Sequence, residues 1–131
     1  MNFLVDTNIC SAYLKADKAV WNKFMQHSGG LAISVVTAGE LWTWVSRGTA
    51  SKRSKDSISE FISGVEVIEL DLKIAIRFGE LRGQLMDGGT PMPDMDGLIA
   101  ATALSENLTL VTHNVADFEA VPDLRIENWL A

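Results

Sequence analysis

The chain has 131 residues, of which 47% are hydrophobic and 21% are charged. This length and balance predict one folded domain over residues 1–131 and exclude a chain dominated by disorder. The formal net charge of −6 argues against a broad basic surface for nucleic acid, although bound divalent cations would reverse the charge of an acidic cluster locally. The single cysteine, Cys10, excludes an internal disulfide, and no apolar segment is long enough to span a bilayer. We therefore expect a cytoplasmic location.

Predicted strands and helices alternate along the chain. In chain order, hydrophobic periodicity and cap residues predict a strand at 2–6, helices at 8–15 and 17–27, a strand at 31–36, a helical segment to about residue 47, a helix at 51–63, a strand at 65–70, a long helix from 71 to the glycine pair at 88–89, a helix at 94–106, and strands at 108–112 and 124–129. This alternation predicts an α/β fold with a mainly parallel sheet of four to five strands and helices on both faces.

Acidic side chains fall where predicted strands end or helices begin. Asp6 ends the first strand, Glu40 lies one turn into the helix after the second strand, and Asp94 and Asp96 open the helix DMDGLIAATAL. Because parallel strands bring their carboxyl ends to one edge of a sheet, these side chains could converge.

Such a cluster would need counter-charges. Three carboxylates about 5 Å apart would repel by roughly 10 kcal/mol in total at an effective dielectric of about 20. That energy is comparable to the whole stability of a domain, about 5–15 kcal/mol, so the cluster would take up protons or cations. Oxygen ligands favour Mg²⁺ or Mn²⁺, ions that activate water and stabilise the leaving oxygen in phosphoryl chemistry.

Each acid also has a purely structural explanation. Asp6 is a candidate N-cap, and we expect one of Asp94 and Asp96 to cap the helix that they open. Glu40 could complete a capping box with Thr37. Polar residues after the fourth strand are ordinary turn formers. Only the convergence of all these sites at one sheet edge favours a metal site over four separate caps and turns.

Four blocks of sequence together resemble the PIN-domain family and, within it, the VapC-like toxins of toxin–antitoxin pairs. They are DTN at 6–8, EL at 40–41, DGLIAATAL at 96–104 and LVTHN…DF at 110–118, in series over essentially the whole chain. The resemblance implies a three-layer α/β/α PIN-like fold and a Mg²⁺- or Mn²⁺-dependent endoribonuclease. It also implies RNA as substrate, a cognate antitoxin as partner and a homodimer.

The resemblance also assigns roles to individual side chains. Asp6, Glu40 and Asp96 match the three acidic positions of the family, which are catalytic and bind the metal. Polar residues beside them match as well, namely Thr7, Asn8 and Thr112. Asn114 stands where many PIN domains have a fourth acid, and Asp117 is the alternative fourth ligand.

Three further side chains are candidates for contacting RNA. Trp44 and Arg47 follow Glu40 by four and seven residues, so all three lie along one stripe of a helix. Trp44 could stack on a base and Arg47 could hold a phosphate. The alternative for Trp44 is packing beneath a neighbouring helix or at a dimer contact. Arg82, on the long helix, could reach the same cleft.

Two other functions are compatible with these residues. A catalytically silent PIN-like binding module is conceivable because Asn114 replaces an acid. A Mg²⁺-dependent small-molecule phosphohydrolase is the second alternative, although such an enzyme would normally carry a carboxylate two residues after Asp6, where Asn8 stands.

Overall fold

Strands and helices alternate in the structure, a computed structural model that describes residues 2–130. In chain order the elements are β1 (Phe3–Val5), α1 (Thr7–Leu14), α2 (Lys18–Gln26), β2 (Leu31–Ser34), α3 (Val35–Val45), α4 (Lys52–Gly64), β3 (Glu66–Ile68), α5 (Leu72–Asp87), α6 (Asp94–Ser105), β4 (Thr109–Val111), α7 (Val115–Phe118) and β5 (Ile126–Glu127).

The strands form one parallel sheet in the order β3-β2-β1-β4-β5. β1 lies at its centre, where Leu4 is aligned with Ala32 of β2 and Leu110 of β4. The predicted parallel sheet is therefore confirmed. The strand order reverses direction at β1, so the crevice between the carboxyl ends of β1 and β4 is the place where an open α/β sheet binds ligands.

Helices cover both faces of the sheet. Side chains alternate along a strand, so Phe3 and Val5 face one apolar cluster and Leu4 faces another. The first cluster receives buried side chains from α1 to α4 and the second from α5 to α7. This arrangement confirms the predicted three layers, α/β/α. Within residues 2–130, every helix is too short or too polar to cross a bilayer.

The element boundaries differ from the prediction where caps intervene. The predicted strand 31–36 ends at Ser34, because the Ser34 hydroxyl accepts the backbone N–H of Val36 at 3.1 Å and starts α3. The last predicted strand, 124–129, is reduced to two residues, and α7 was not predicted. Asp17 and Asp71 cap α2 and α5, each accepting the backbone N–H of the residue three positions later.

Candidate functional site

Asp6 lies in the crevice between the ends of β1 and β4. Its backbone N–H donates to the carbonyl of Val111 at 2.8 Å, which extends the pairing of the two strands by one step. One carboxylate oxygen, Oδ1, accepts the N–H of Thr7 at 2.8 Å, so Asp6 does cap α1. The other, Oδ2, accepts the hydroxyl of Thr112 at 2.8 Å and the amide of Asn8 at 3.2 Å. With only 4% of its surface exposed, Asp6 is held in a single orientation.

Asn8 and Thr112 also connect β4 to α1. The side-chain oxygen of Asn8 accepts the backbone N–H of His113 at 2.9 Å. The Thr112 hydroxyl accepts the N–H of Asn114 at 3.1 Å. These bonds fix the turn after β4 against the start of α1, so the predicted supporting polar residues do lie beside Asp6.

Glu40 is bound to the same end of α1. The Thr7 hydroxyl donates to Oε1 of Glu40 at 2.6 Å, and the hydroxyls of Thr7 and Thr37 lie 3.2 Å apart. Both threonines are buried and Glu40 is half-buried. The capping-box explanation of Glu40 is wrong, because Ser34 caps α3 and Thr37 lies inside the helix.

Asp96 lies in the first turn of α6. The expectation that Asp94 or Asp96 caps this helix is wrong, since Pro93 occupies the N-cap position and no side chain caps it. Proline holds the extended backbone that precedes a helix, and both acids therefore fall inside the first turn, where the helix dipole favours negative charge. Asp94 instead contacts Arg82 at 3.2 Å in an exposed ion pair of small energetic value.

The electrostatics of the crevice couple these acids. Burial raises the pKa of Asp6, while hydrogen bonds from Thr112, Thr7 and Asn8 oppose that rise and the charge of Asp117 adds to it. Burial also raises the pKa of Asp96, and the charges of Asp6, Asp117 and Glu40 raise it further. The carboxylates thus lie near enough to one another to repel.

The carboxylates of the crevice are chemically suited to bind a hard cation. The converging groups are carboxylates, the ligands that Mg²⁺ and Mn²⁺ prefer, and their mutual repulsion would fall when a divalent ion bound. Among residues 2–130, however, no three Asp, Glu, His or Cys side chains are close enough to form a ready metal cage. Mg²⁺ usually keeps several waters and is held directly by one or two carboxylates, so the remaining acids would contact such an ion through water or after a shift toward it.

The two candidates for a fourth acidic position differ in their electrostatic effect. Asn114 is exposed at the N-cap of α7, and its side chain makes no cap hydrogen bond. Asp117, in the first turn of α7, is also exposed, and its charge raises the pKa of both Asp6 and Asp96. The sequence could not separate the two candidates, because α7 is too short to show a helical period.

The structure reveals one further feature of the site that the sequence did not indicate. A groove of about 340 Å³ is lined by Asp96, Asp117 and the loop 90–93. The only sequence signal at this place is the pair of prolines at 91 and 93, which predicts a loop but not what faces it.

The predicted RNA contacts lie on exposed surface. Trp44 is 45% exposed, so it does not pack beneath a neighbouring helix, and Arg47 is exposed one turn further along α3. Trp42 is also exposed, and the ammonium of Lys55 lies 5.8 Å from the centre of its ring. Arg82 reaches the first turn of α6 through its contact with Asp94.

The chain belongs to the PIN-domain family, since the family model of the PIN domain matches residues 3–124. It is 34% identical over 130 residues to the tRNA(fMet)-specific endonuclease VapC of Salmonella typhimurium, with 98% of each chain covered. It is also 34% identical over 132 residues to ribonuclease VapC2 of Rickettsia felis, again with 98% of each covered.

Solved structures agree with this assignment. The chain resembles that of DNA-bound VapBC from Salmonella typhimurium with a TM-score of 0.94 and 34% identity, covering 98% of each chain. The similarity to VapBC2 from Rickettsia felis bound to a promoter DNA fragment has a TM-score of 0.91 and 32% identity, covering 98% of this chain and 99% of that one. The predicted PIN-like fold and the resemblance to VapC-like toxins are both confirmed.

Proposed function

We propose that this chain is a Mg²⁺- or Mn²⁺-dependent endoribonuclease and the toxin of a toxin–antitoxin pair. The observation that carries the proposal is the convergence of carboxylates at the crevice between β1 and β4, where Asp6 and Glu40 are joined through Thr7, and where Asp96 and Asp117 line one groove. Relatives that match 98% of the chain are named ribonucleases or endonucleases, which supports RNA as the substrate.

In this proposal Asp6, Glu40 and Asp96 hold the cation, with Asp117 as the fourth acid. When bound, such an ion supplies positive charge to the phosphate, to the attacking water and to the leaving oxygen. Thr112 and Asn8 orient the Asp6 carboxylate, and Thr7 orients Glu40 at 2.6 Å. These bonds restrict two of the carboxylates before substrate arrives, which lowers the cost of assembling the site.

The nucleophile in this proposal is water. Cys10 is the only thiol in the chain, and it is fully buried in the first apolar cluster. Burial raises the pKa of the Cys10 thiol well above its ordinary value, and the charge of Asp6 adds to the rise. A buried thiol that stays protonated is a poor nucleophile.

We also propose an antitoxin as the partner of this chain. The resemblance to chains solved as VapBC assemblies supports it. The structure presents a groove of about 910 Å³ between α1, α2 and α4, with Trp21 and Met25 each 46% exposed along it. A groove between helices that exposes apolar side chains is a surface that a partner helix can cover. A homodimer, implied by the family resemblance, stays a prediction.

A metal-titrated cleavage assay tests the function. An RNA of mixed sequence and defined length would be incubated with the protein at increasing concentrations of Mg²⁺ or Mn²⁺. The variant Asp96→Asn would be assayed in parallel, and both proteins would also be given a generic phosphatase substrate. We expect RNA cleavage that needs the ion and Asp96, with no release of phosphate from the small substrate. Phosphate release without RNA cleavage would indicate a small-molecule phosphohydrolase, and neither activity at any metal concentration would indicate a binding module.

A further inference from the structure

Apart from its two acids, the groove of about 340 Å³ has no role in the reaction proposed above. It shares Asp96 and Asp117 with the acidic site, so whatever occupies it lies next to the reacting phosphate. Its volume falls at the lower end of the range of about 300–1,000 Å³ that is usual for small-molecule sites.

One side of the groove is formed by the loop Thr90–Pro91–Met92–Pro93. The rings of Pro91 and Pro93 fix the backbone φ angles at two of these four residues, which stiffens the loop. Pro93 is also the N-cap of α6, so this apolar surface continues directly into the turn that carries Asp96.

Two small side chains also line the groove. Ala116 lies on α7, and Ala120 follows four residues later, just beyond the end of that helix. Both are exposed, and a larger side chain at either position would occupy space that is open now. The groove is thus bounded by stiff apolar residues and by alanines, with carboxylates beside them.

These surfaces match the shape and polarity of a nucleobase. A base has two flat faces that make favourable contacts with apolar groups and a polar edge that forms hydrogen bonds, for which the Thr90 hydroxyl is available. A phosphodiester that reacts at Asp96 carries a nucleoside on each side. We infer that this groove holds the base of a nucleotide next to the scissile phosphate, an inference that rests on the proposed ribonuclease function.

Binding of mononucleotides tests the inference without any cleavage. Protein labelled with ¹³C in the alanine methyl groups would be titrated with each of the four 5′-mononucleotides in the presence of Mg²⁺, and separately with ribose 5-phosphate. We expect the methyl signals of Ala116 and Ala120 to shift with the nucleotides and to move far less with the sugar phosphate. The methyl signal of Ala75, exposed on α5 away from the groove, should stay in place.

Equal shifts with ribose 5-phosphate would overturn the inference, because the groove would then respond to phosphate and not to a base. Shifts produced by arginine amide but not by nucleotides would overturn it too, since the groove would then take a basic side chain.

Filling the groove tests its part in substrate binding. Ala120→Leu should raise the KM for RNA about tenfold with little change in kcat. This is the pattern expected when a variant weakens the binding of substrate and of transition state equally. The Mn²⁺ affinity and melting temperature should stay at the parent values, and Ala75→Leu serves as the matched control. If Ala120→Leu folds poorly, Ala116→Leu provides the second variant.

Failure of this inference is distinguishable from failure of the proposed function. RNA cleavage that depends on Asp96 but has the parent KM in Ala120→Leu and Ala116→Leu would refute the groove inference alone. Loss of Mn²⁺ affinity in both filled variants would refute it as well, by making the groove part of the ion site. If the parent cleaves no RNA, the proposed function fails, and the nucleotide titration still decides what the groove binds.

Discussion

Replacing Gly97 with alanine should disturb Asp96 without removing any acidic group. Gly97 follows Asp96 in the first turns of α6, and a Cβ at this position would lie 2.9 Å from Cε1 of Phe78 on α5. The shortest contact must lengthen by about 0.5 Å to reach the 3.4 Å at which ordinary contacts begin. Either the half-buried ring of Phe78 turns away or the start of α6 moves.

The expected magnitudes follow from that displacement. Overpacking typically costs about 1–3 kcal/mol, while glycine to alanine inside a helix restores about 1 kcal/mol, so the free energy of unfolding should fall by about 0–2 kcal/mol. A misplacement of about 1 Å can slow a reaction by about 100-fold, so half of that should slow RNA cleavage by about tenfold. The effect on cleavage should therefore exceed the effect on stability.

Single-turnover RNA cleavage and chemical unfolding would measure both quantities. The double variant Gly97→Ala with Phe78→Leu should recover most of the cleavage rate, because leucine lacks the ring atoms that the new methyl group meets. Gly83→Ala on α5 is the matched control, as a Cβ there meets nothing within 4 Å. Cleavage at the parent rate in Gly97→Ala would refute the reasoning, since the ring would then have moved at no cost to Asp96.

Three further predictions concern the acids. Asp96→Asn should abolish cleavage. Mg²⁺ or Mn²⁺ should raise the melting temperature of this variant less than that of the parent. Equal metal affinity of the two proteins by calorimetry would exclude Asp96 as a ligand. Because the pKa of Asp96 is raised above its ordinary 3.8, the folded state binds protons more tightly than the unfolded state, and stability is lost as pH rises through the raised pKa. The melting temperature of the metal-free parent should therefore fall as pH rises from about 4, with a smaller fall in Asp96→Asn; an equal fall in the two proteins would contradict this. Asp117→Asn should slow cleavage more than Asn114→Ala, and the reverse order would make Asn114 the fourth position.

The layers of the fold could be predicted because each depends on local patterns. The apolar run that ends at Asp6 predicts a buried central strand. The alternation of strands with helices predicts parallel pairing of the strands. The ends of the strands and helices were harder to predict from the sequence. The strand that begins at Leu31 ends early because the Ser34 hydroxyl caps α3. Pro93 displaces both aspartates from the cap of α6 for a similar local reason.

The site could be predicted only in part, because its geometry depends on contacts between distant elements. The tripeptide at 6–8 marks the position of the site, but the bond from Thr7 to Glu40 exists only after α3 packs against α1. The influence of Asp117 on Asp6 and Asp96 likewise depends on a helix of four residues, too short to leave a periodic pattern in the sequence.

The tripeptide at 6–8 also explains how the fold supports acids that repel one another. Asp6 is bound to the end of β4, Thr7 binds Glu40 on α3, and Asn8 binds the backbone of His113. Two of the acidic positions are therefore fixed by hydrogen bonds from one short segment. Asp96 is carried by α6, whose start has no side-chain cap, and within residues 2–130 its carboxylate accepts no hydrogen bond of the kind that holds Asp6 and Glu40. Because no such bond fixes the Asp96 side chain, any movement of the acids on cation binding should occur at Asp96, while Asp6 and Glu40 keep the positions that they have without the ion.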